Sequence, residues 1–177
     1  MNNTRTEVIG IDVEIQDLQT VLYDSLISLW VDNIDGYGRA YKNTKNEKLL
    51  YEYYLGKDEY KSIYHDDRKA ATMFFADNDN HTTEDGVVYV AEVKCIFMVD
   101  LGRIFPTDVE RSDAKAHKDV TQTIHDNYRG EFTIKSIEKG VDAVFKGVDT
   151  ESIKFSDINP YHVFSVVIDL SYYLNNC

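Results

Sequence analysis

The chain has 177 residues, a length that fits one domain with its own hydrophobic core. Its formal net charge of −12 at pH 7 argues against general nucleic-acid binding, because Lys and Arg are needed to displace counterions from phosphates. Two cysteines are too few for the disulfide framework of a small secreted domain, and no run of about 18 apolar residues indicates a membrane span. We therefore expect one soluble domain over residues 1–177, made for a reducing compartment.

The first predicted element is an amphipathic helix that begins near Asp12 and ends near Trp30. Before it, residues 1–10 are polar and are expected to form a flexible or extended arm. Asp12 is the expected N-cap, and Asp35-Gly36 marks the break after the helix. Apolar residues recur at spacings of three and four and form a stripe for the core: Ile15, Leu18, Leu22, Leu26 and Leu29.

Short apolar runs with turn residues between them follow over residues 36–76. They predict strands at 38–41, 49–55, 62–64 and 70–76, although 49–55 also fits a short helix. The polar run 77–86 then predicts an exposed, mobile loop. We accordingly expect that replacing both Asp77 and Asp79 by Asn leaves folding intact.

The longest strand signal covers residues 87–105 and stops at Pro106. Apolar residues on one face of this segment alternate without a break and are expected in the core: Val87, Tyr89, Ala91, Val93, Cys95, Phe97, Val99 and Leu101. The opposite face mixes apolar residues with Glu92, Lys94 and Asp100. This pattern predicts a central strand that is packed heavily on one side and partly covered on the other.

A second helix is predicted from a cap at Ser112-Asp113 to a stop at Gly130, with Ala116, Val120, Ile124 and Tyr128 on one side. Strands are predicted at 131–137 and 141–145, joined by a turn at Lys139-Gly140, and a last strand at 162–174. This order has no regular βαβ alternation. It predicts an α+β fold, with a mostly antiparallel sheet packed against an N-terminal and a central helix.

Residues with catalytic or metal-binding chemistry do not assemble into a known pattern. Residues 77–81 begin like a calcium loop, but Thr82 replaces the glycine and Val88 the bidentate glutamate that such a loop requires. His65 stands beside two aspartates whose side chains point away from it, and His117 and His125 are not aligned on their helix. Cys95 is expected to be buried and inert. The sequence therefore predicts no catalytic, cofactor-binding or metal-binding residues, and a protein that is not an enzyme.

Three segments together resemble a known group of proteins. They are CIFMVDLGRIFP at 95–106 followed by Arg111-Ser112-Asp113, KAATMFF at 69–75, and DINPYHVF at 157–164. In this order they are similar to connector or tail-completion proteins from the neck of tailed bacteriophages, particularly the crAss-like group, over about residues 9–174. The resemblance implies a non-enzymatic virion subunit, assembled in the host cytoplasm as a cyclic oligomer with the portal and other neck or tail proteins. Genomic DNA would pass through the ring without specific binding, and an acidic lumen would repel it.

The 13 tyrosines favour contacts with protein partners, because tyrosine combines rigid apolar area with one polar tip. Six residues are the predicted subunit interface: Tyr51, Tyr53, Tyr54, Arg111, Tyr161 and His162. Two alternatives remain open. One is an intracellular protein-binding domain that is unrelated to virions, and the other is a hydrolase or nuclease that uses scattered aspartates with a divalent metal.

Overall fold

The structure, a computed structural model, describes residues 1–30, 33–107, 112–150, 155 and 158–174. The described helices are α1 (Ile11–Leu29), α2 (Leu101–Ile104), α3 (Ser112–Asn127) and α4 (Val141–Val144). The described strands are β1 (Ile34–Lys45), β2 (Lys48–Gly56), β3 (Glu59–Ser62), β4 (Ala71–Thr83), β5 (Val88–Asp100), β6 (Phe132–Lys139) and β7 (Tyr161–Tyr173).

The seven strands form one sheet in the order β3-β2-β1-β4-β5-β7-β6. β1 and β4 are parallel, and every other neighbouring pair is antiparallel. α1 and α3 pack against one face of this sheet. The predicted α+β class with a mostly antiparallel sheet is therefore confirmed, and so is the strand, rather than a helix, at 49–55.

The main core lies between the sheet and helices α1 and α3. The predicted stripe of α1 is buried at Ile15, Leu18, Leu22 and Leu26, but Leu29 is 53% exposed and was wrongly assigned to it. Trp30 fills the core at that end of the helix instead, and its indole Nε1 donates to Asp119 Oδ2 at 3.0 Å. The predicted face of α3 is confirmed, and that of β5 is confirmed at Ala91, Val93, Cys95, Phe97 and Val99. Val87 was wrongly assigned to it, because it precedes the strand and is 59% exposed, and Leu101 belongs to α2.

The start of α1 also differs from the prediction. Gly10, with a φ of 58°, occupies the N-cap and makes no side-chain cap bond, whereas Asp12 lies in the first turn. The carboxylate of Asp12 is instead 3.2 Å from Arg39 Nη1 on β1. Asp12 is not the cap because its backbone is already inside the first turn, where its N–H donates to the Ile9 carbonyl at 3.2 Å.

The loop predicted at 77–86 is mostly strand. β4 continues to Thr83 and pairs with β5 on both sides of a bulge between Asp77 and His81. The expected loop is a strand because β5 supplies partners for Asp77 and for residues 81–83, with 78–80 in the bulge. The predicted exposure is confirmed for residues 78–80 and 82–86. Asp77 is buried, contrary to the exposed position expected for it.

Three further boundaries were placed wrongly. β5 ends at Asp100, well before Pro106, because the Asp100 carboxylate accepts from the Arg103 backbone N–H at 3.2 Å and caps α2. Residues 141–144 form the helix α4, which begins after Gly140 at a φ of 82°. β3 begins at Glu59 because a two-residue turn with φ of 53° and 60° follows directly after β2.

The second face of the sheet carries a smaller core that includes Tyr37, Tyr51, Phe74, Ile96, Met98 and Val163. The α4 segment covers it, and Phe145 stacks on Phe74 with ring centroids 6.3 Å apart. This packing explains the helix at 141–144. Val144 and Phe145 contact the sheet from above and are not members of it.

Residues before α1 run beside β1. Asn2 forms a parallel bridge with Gly36, and the Asn3 backbone N–H donates to the Gly36 carbonyl at 2.9 Å. Gln19 of α1 donates to Asn2 Oδ1 at 2.6 Å. These bonds place Arg5 near the β1–β2–β3 end of the sheet. In the ranges that the structure describes, no helix combines the length and apolar character needed to cross a bilayer.

Candidate functional site

The predicted interface residues lie in different environments. Tyr51 is 7% exposed and packs on Phe74 and Phe145 in the second core, with ring centroids 5.6 and 6.3 Å away. His162 is also buried. The side chains of both residues are thus used mainly for contacts within the chain.

The other predicted residues keep more surface area where they are described. Tyr53 is half-buried against Tyr37, with ring centroids 4.6 Å apart. Tyr161 is half-buried against Phe155 and His65. Arg111 lies outside the described residues. Tyr54 is half-buried and belongs to a cluster with Arg5, Tyr41 and Tyr60.

Four residues form what we call the Arg5–tyrosine surface: Arg5, Tyr41, Tyr54 and Tyr60. The Tyr60 ring lies 5.7 Å from that of Tyr41 and 5.2 Å from that of Tyr54, measured between centroids. The Arg5 guanidinium sits over both of the other rings, 5.5 Å from the Tyr41 centroid and 5.0 Å from the Tyr54 centroid. Arg5 Nη1 also donates to the Tyr41 hydroxyl at 3.0 Å.

The strand register brings these tyrosines to one face. Tyr54 pairs with Tyr60 across β2 and β3, and Tyr41 pairs with Glu52 across β1 and β2. Paired residues of antiparallel strands share a face, as do residues two apart on one strand. Of the four, only Tyr54 was predicted. Locating the two-residue turn 46–47 would have predicted that Tyr41 pairs with Glu52. The pairing of Tyr54 with Tyr60 depends in addition on the register shift between Tyr54 and Gly56, and Arg5 comes from the arm.

This surface combines apolar area with a cation. Tyr60 and the neighbouring Leu55 are each 42% exposed, and a shallow groove runs between residues 3–7 and the end of β2. Aromatic residues and arginine are enriched where proteins bind proteins, and residues already packed on one another lose little freedom on binding. The arrangement is suited to contact with a protein partner.

A polar network lies nearby, on the helix-covered face of the sheet. Asp77 Oδ2 accepts from Arg39 Nη2 at 2.7 Å and from His81 Nε2 at 2.9 Å. His81 Nδ1 lies 2.5 Å from the Tyr172 hydroxyl, and burial, reinforced by Asp77, raises the pKa of Tyr172. This network joins β1, β4 and β7. Both ring nitrogens of His81 are engaged in it, so neither is left to bind a substrate.

A second histidine cluster lies under α3. His117 Nε2 is 3.0 Å from His162 Nε2, and both side chains are buried. One ring must donate and the other accept, so the contact requires that at least one imidazole is neutral. Burial first, then Lys139 and His162, lower the pKa of His117 to about 4. In the sequence, His117 could be compared only with His125 on the same helix. No sequence pattern indicates that His117 contacts His162, which is 45 residues away on β7.

Cys95 and the acidic residues complete the chemical inventory. The Cys95 side chain is fully buried, and this burial raises the pKa of its thiol well above the usual range. Within the described part of the chain, no three or more His, Cys, Asp or Glu side chains are grouped so that they could hold a metal ion.

No protein-family model matches the chain, and no curated protein matches it significantly.

Proposed function

We propose that the chain is a structural virion protein of a tailed bacteriophage, a subunit of the neck or tail-completion ring that connects head and tail around the DNA channel. The resemblance supports this proposal through segments that are neighbours in space. Residues 69–75 lead into and begin β4, 95–106 contain the end of β5 and the whole of α2, and the described residues 158–164 lead into and begin β7. These three strands are adjacent in the sheet.

The observation that carries the proposal is the Arg5–tyrosine surface. A ring subunit must contact its neighbours through two different surfaces, because closed cyclic symmetry uses heterologous interfaces. Exposed Tyr60, held against Tyr41 and Tyr54 and flanked by Arg5, supplies a rigid aromatic anchor for one of them. We propose as partners another copy of this chain, the portal, and other neck or tail proteins.

The distribution of charge also supports the proposal. α1 contains four acidic residues and no Lys or Arg, and two of the acids, Asp17 and Asp24, are exposed on its outer side. With the net charge of −12, such a surface repels the phosphate backbone. This repulsion fits a conduit through which genomic DNA passes without specific binding.

The proposal is tested in phage particles. Mass spectrometry of purified virions should find the chain as a component. Tyr60→Ala should lower its incorporation while leaving its circular dichroism unchanged, because Tyr60 is 42% exposed and outside the core. Tyr64→Ala removes another exposed tyrosine, 55% exposed and outside the Arg5–tyrosine surface, and should have no effect. Absence of the chain from virions would contradict the proposal and favour the intracellular protein-binding domain.

A further inference from the structure

The two edges of the sheet are compatible with each other. No described strand lies beyond β3 at one edge or beyond β6 at the other. Of the six pairings that connect them, five are antiparallel and one is parallel. Five reversals leave β3 and β6 running in opposite directions. The β3 edge of one copy can therefore meet the β6 edge of a second copy as an antiparallel pair.

The main-chain groups that point outward at each edge follow from the hydrogen bonds that point inward. The Ile63 N–H donates to the Tyr51 carbonyl at 3.2 Å, so by alternation Tyr60 and Ser62 direct their N–H and C=O groups away from β2. The Ser171 N–H donates to the Glu131 carbonyl at 3.0 Å.

By the same alternation, Phe132 and Ile134 direct their main-chain groups away from β7. Their side chains pack at the margin of the core that α1 and α3 cover. Tyr60 lies on that same face of the sheet, because its ring contacts Tyr41, whose hydroxyl lies 3.5 Å from Asp12 of α1. Tyr60 and Ile134 therefore agree both in the direction of their free main-chain groups and in their face.

We propose that copies of this chain join head to tail by pairing β3 of one subunit with β6 of the next, with Tyr60 opposite Ile134. Ser62 then lies opposite Phe132. Glu59 lies opposite Lys135, whose ammonium group already pairs with Glu92 at 2.8 Å and Asp169 at 3.5 Å within its own subunit. The bulge between Ile134 and Ser136 limits the continuous ladder to about the length of the four-residue β3. The choice of a second copy as occupant rests on the proposed ring function.

This pairing also places apolar surface against apolar surface. Tyr60 is 42% exposed, and Ile137, on the same face of β6 beyond the bulge, is 38% exposed. Edge pairing supplies main-chain bonds, and the side chains on the shared face supply register. The two contacting edges differ, so the interface is heterologous, as a closed ring requires.

Disulfide trapping tests this interface in the whole chain. In a Cys177→Ser background, the double variant Tyr60→Cys/Ile134→Cys should give a ladder of covalent oligomers on mild oxidation. The pair Lys61→Cys/Ile134→Cys, whose side chains point to opposite faces, should give little cross-linking. Dimers formed by Ile134→Cys alone, which would indicate pairing of like edges, or no ladder from the double variant, would overturn the inference.

A non-covalent measurement is independent of the engineered thiols. Ser62→Pro removes an outward N–H that β2 does not use, so it should weaken self-association in sedimentation experiments, whereas Ser62→Ala should not. Equal self-association of both variants would overturn the edge pairing.

A chain that is present in virions but gives no ladder would reject this interface and keep the ring function. A ladder from a chain that is absent from virions would keep the edge pairing and reject the virion role.

Discussion

Replacement of Phe97 by alanine tests the placement of β5 at the centre of the core. Phe97 is fully buried, stacks on Phe164 with ring centroids 5.0 Å apart, and meets the edge of Trp30 at 6.0 Å. Removal of a buried phenylalanine side chain costs about 3–5 kcal/mol. Each aromatic pair adds about 0.5–1.5 kcal/mol, so we expect a loss near the upper end, about 4–5 kcal/mol.

Denaturant unfolding followed by tryptophan fluorescence measures this loss directly, because Trp30 is the sole tryptophan and contacts Phe97. The midpoint of the transition, rather than the amplitude, gives the change in unfolding free energy. Leu29→Ala is the control, since Leu29 is 53% exposed, and it should change the free energy by less than about 0.5 kcal/mol. A loss below about 1 kcal/mol for Phe97→Ala would refute the placement of β5.

Three further predictions concern the buried polar groups and the net negative charge. Asp77→Asn should destabilise the chain by about 2–3 kcal/mol in denaturant unfolding, because it leaves Arg39 without its buried partner. The control Asp79→Asn, at a side chain 64% exposed, should cost less than about 1 kcal/mol. Equal costs for the two variants would contradict the network. The pKa of His117 is lowered to about 4, so below pH 6.5 the unfolded chain binds a proton at this residue that the folded chain does not bind. The free energy of unfolding should therefore fall by on the order of 3 kcal/mol between pH 6.5 and 4. Unfolding at several pH values should show a smaller slope for His117→Gln and an unchanged slope for the exposed His125→Gln; equal slopes in the wild type and His117→Gln would oppose this assignment. Filter binding at low salt should detect no association with duplex DNA, and tight binding that weakens steeply with salt would contradict the role as a DNA conduit.

Elements with a strong local period could be predicted from the sequence. The 3.6-residue stripes of α1 and α3 and one alternating apolar face of β5 and β7 lie in the main core, and burial of these faces fixes the conformation. The sequence did not show that Ile96, Met98 and Val163 are buried on the opposite face as well. The α+β class follows from the order of these elements. Leu29 shows the limit of the method, since the stripe continues into it although the core at that end is filled by Trp30.

Long-range partners decided the remaining features. Residues 77–83 contain no apolar residue, yet β4 continues through them because β5 pairs with Asp77 and with residues 81–83, and Arg39 forms an ion pair with Asp77. Val141 and Val144 suit a strand, but they belong to a helix that packs in the second core, where the next residue, Phe145, stacks on Phe74. No local pattern contains this information.

The candidate surfaces were only partly predictable for the same reason. Tyrosine content predicted aromatic contacts, and Tyr54 was named, but Arg5 reaches the cluster through the arm beside β1. The pairing of His117 with His162 joins α3 to β7, so neither histidine reveals it alone.

Electron microscopy of purified phage particles tests the central claim most directly. The proposed function predicts that density for this chain lies at the head–tail vertex as a cyclic oligomer around the DNA channel. Density that lies elsewhere in the particle, or virions that lack the chain altogether, would contradict the claim that it is a connector subunit.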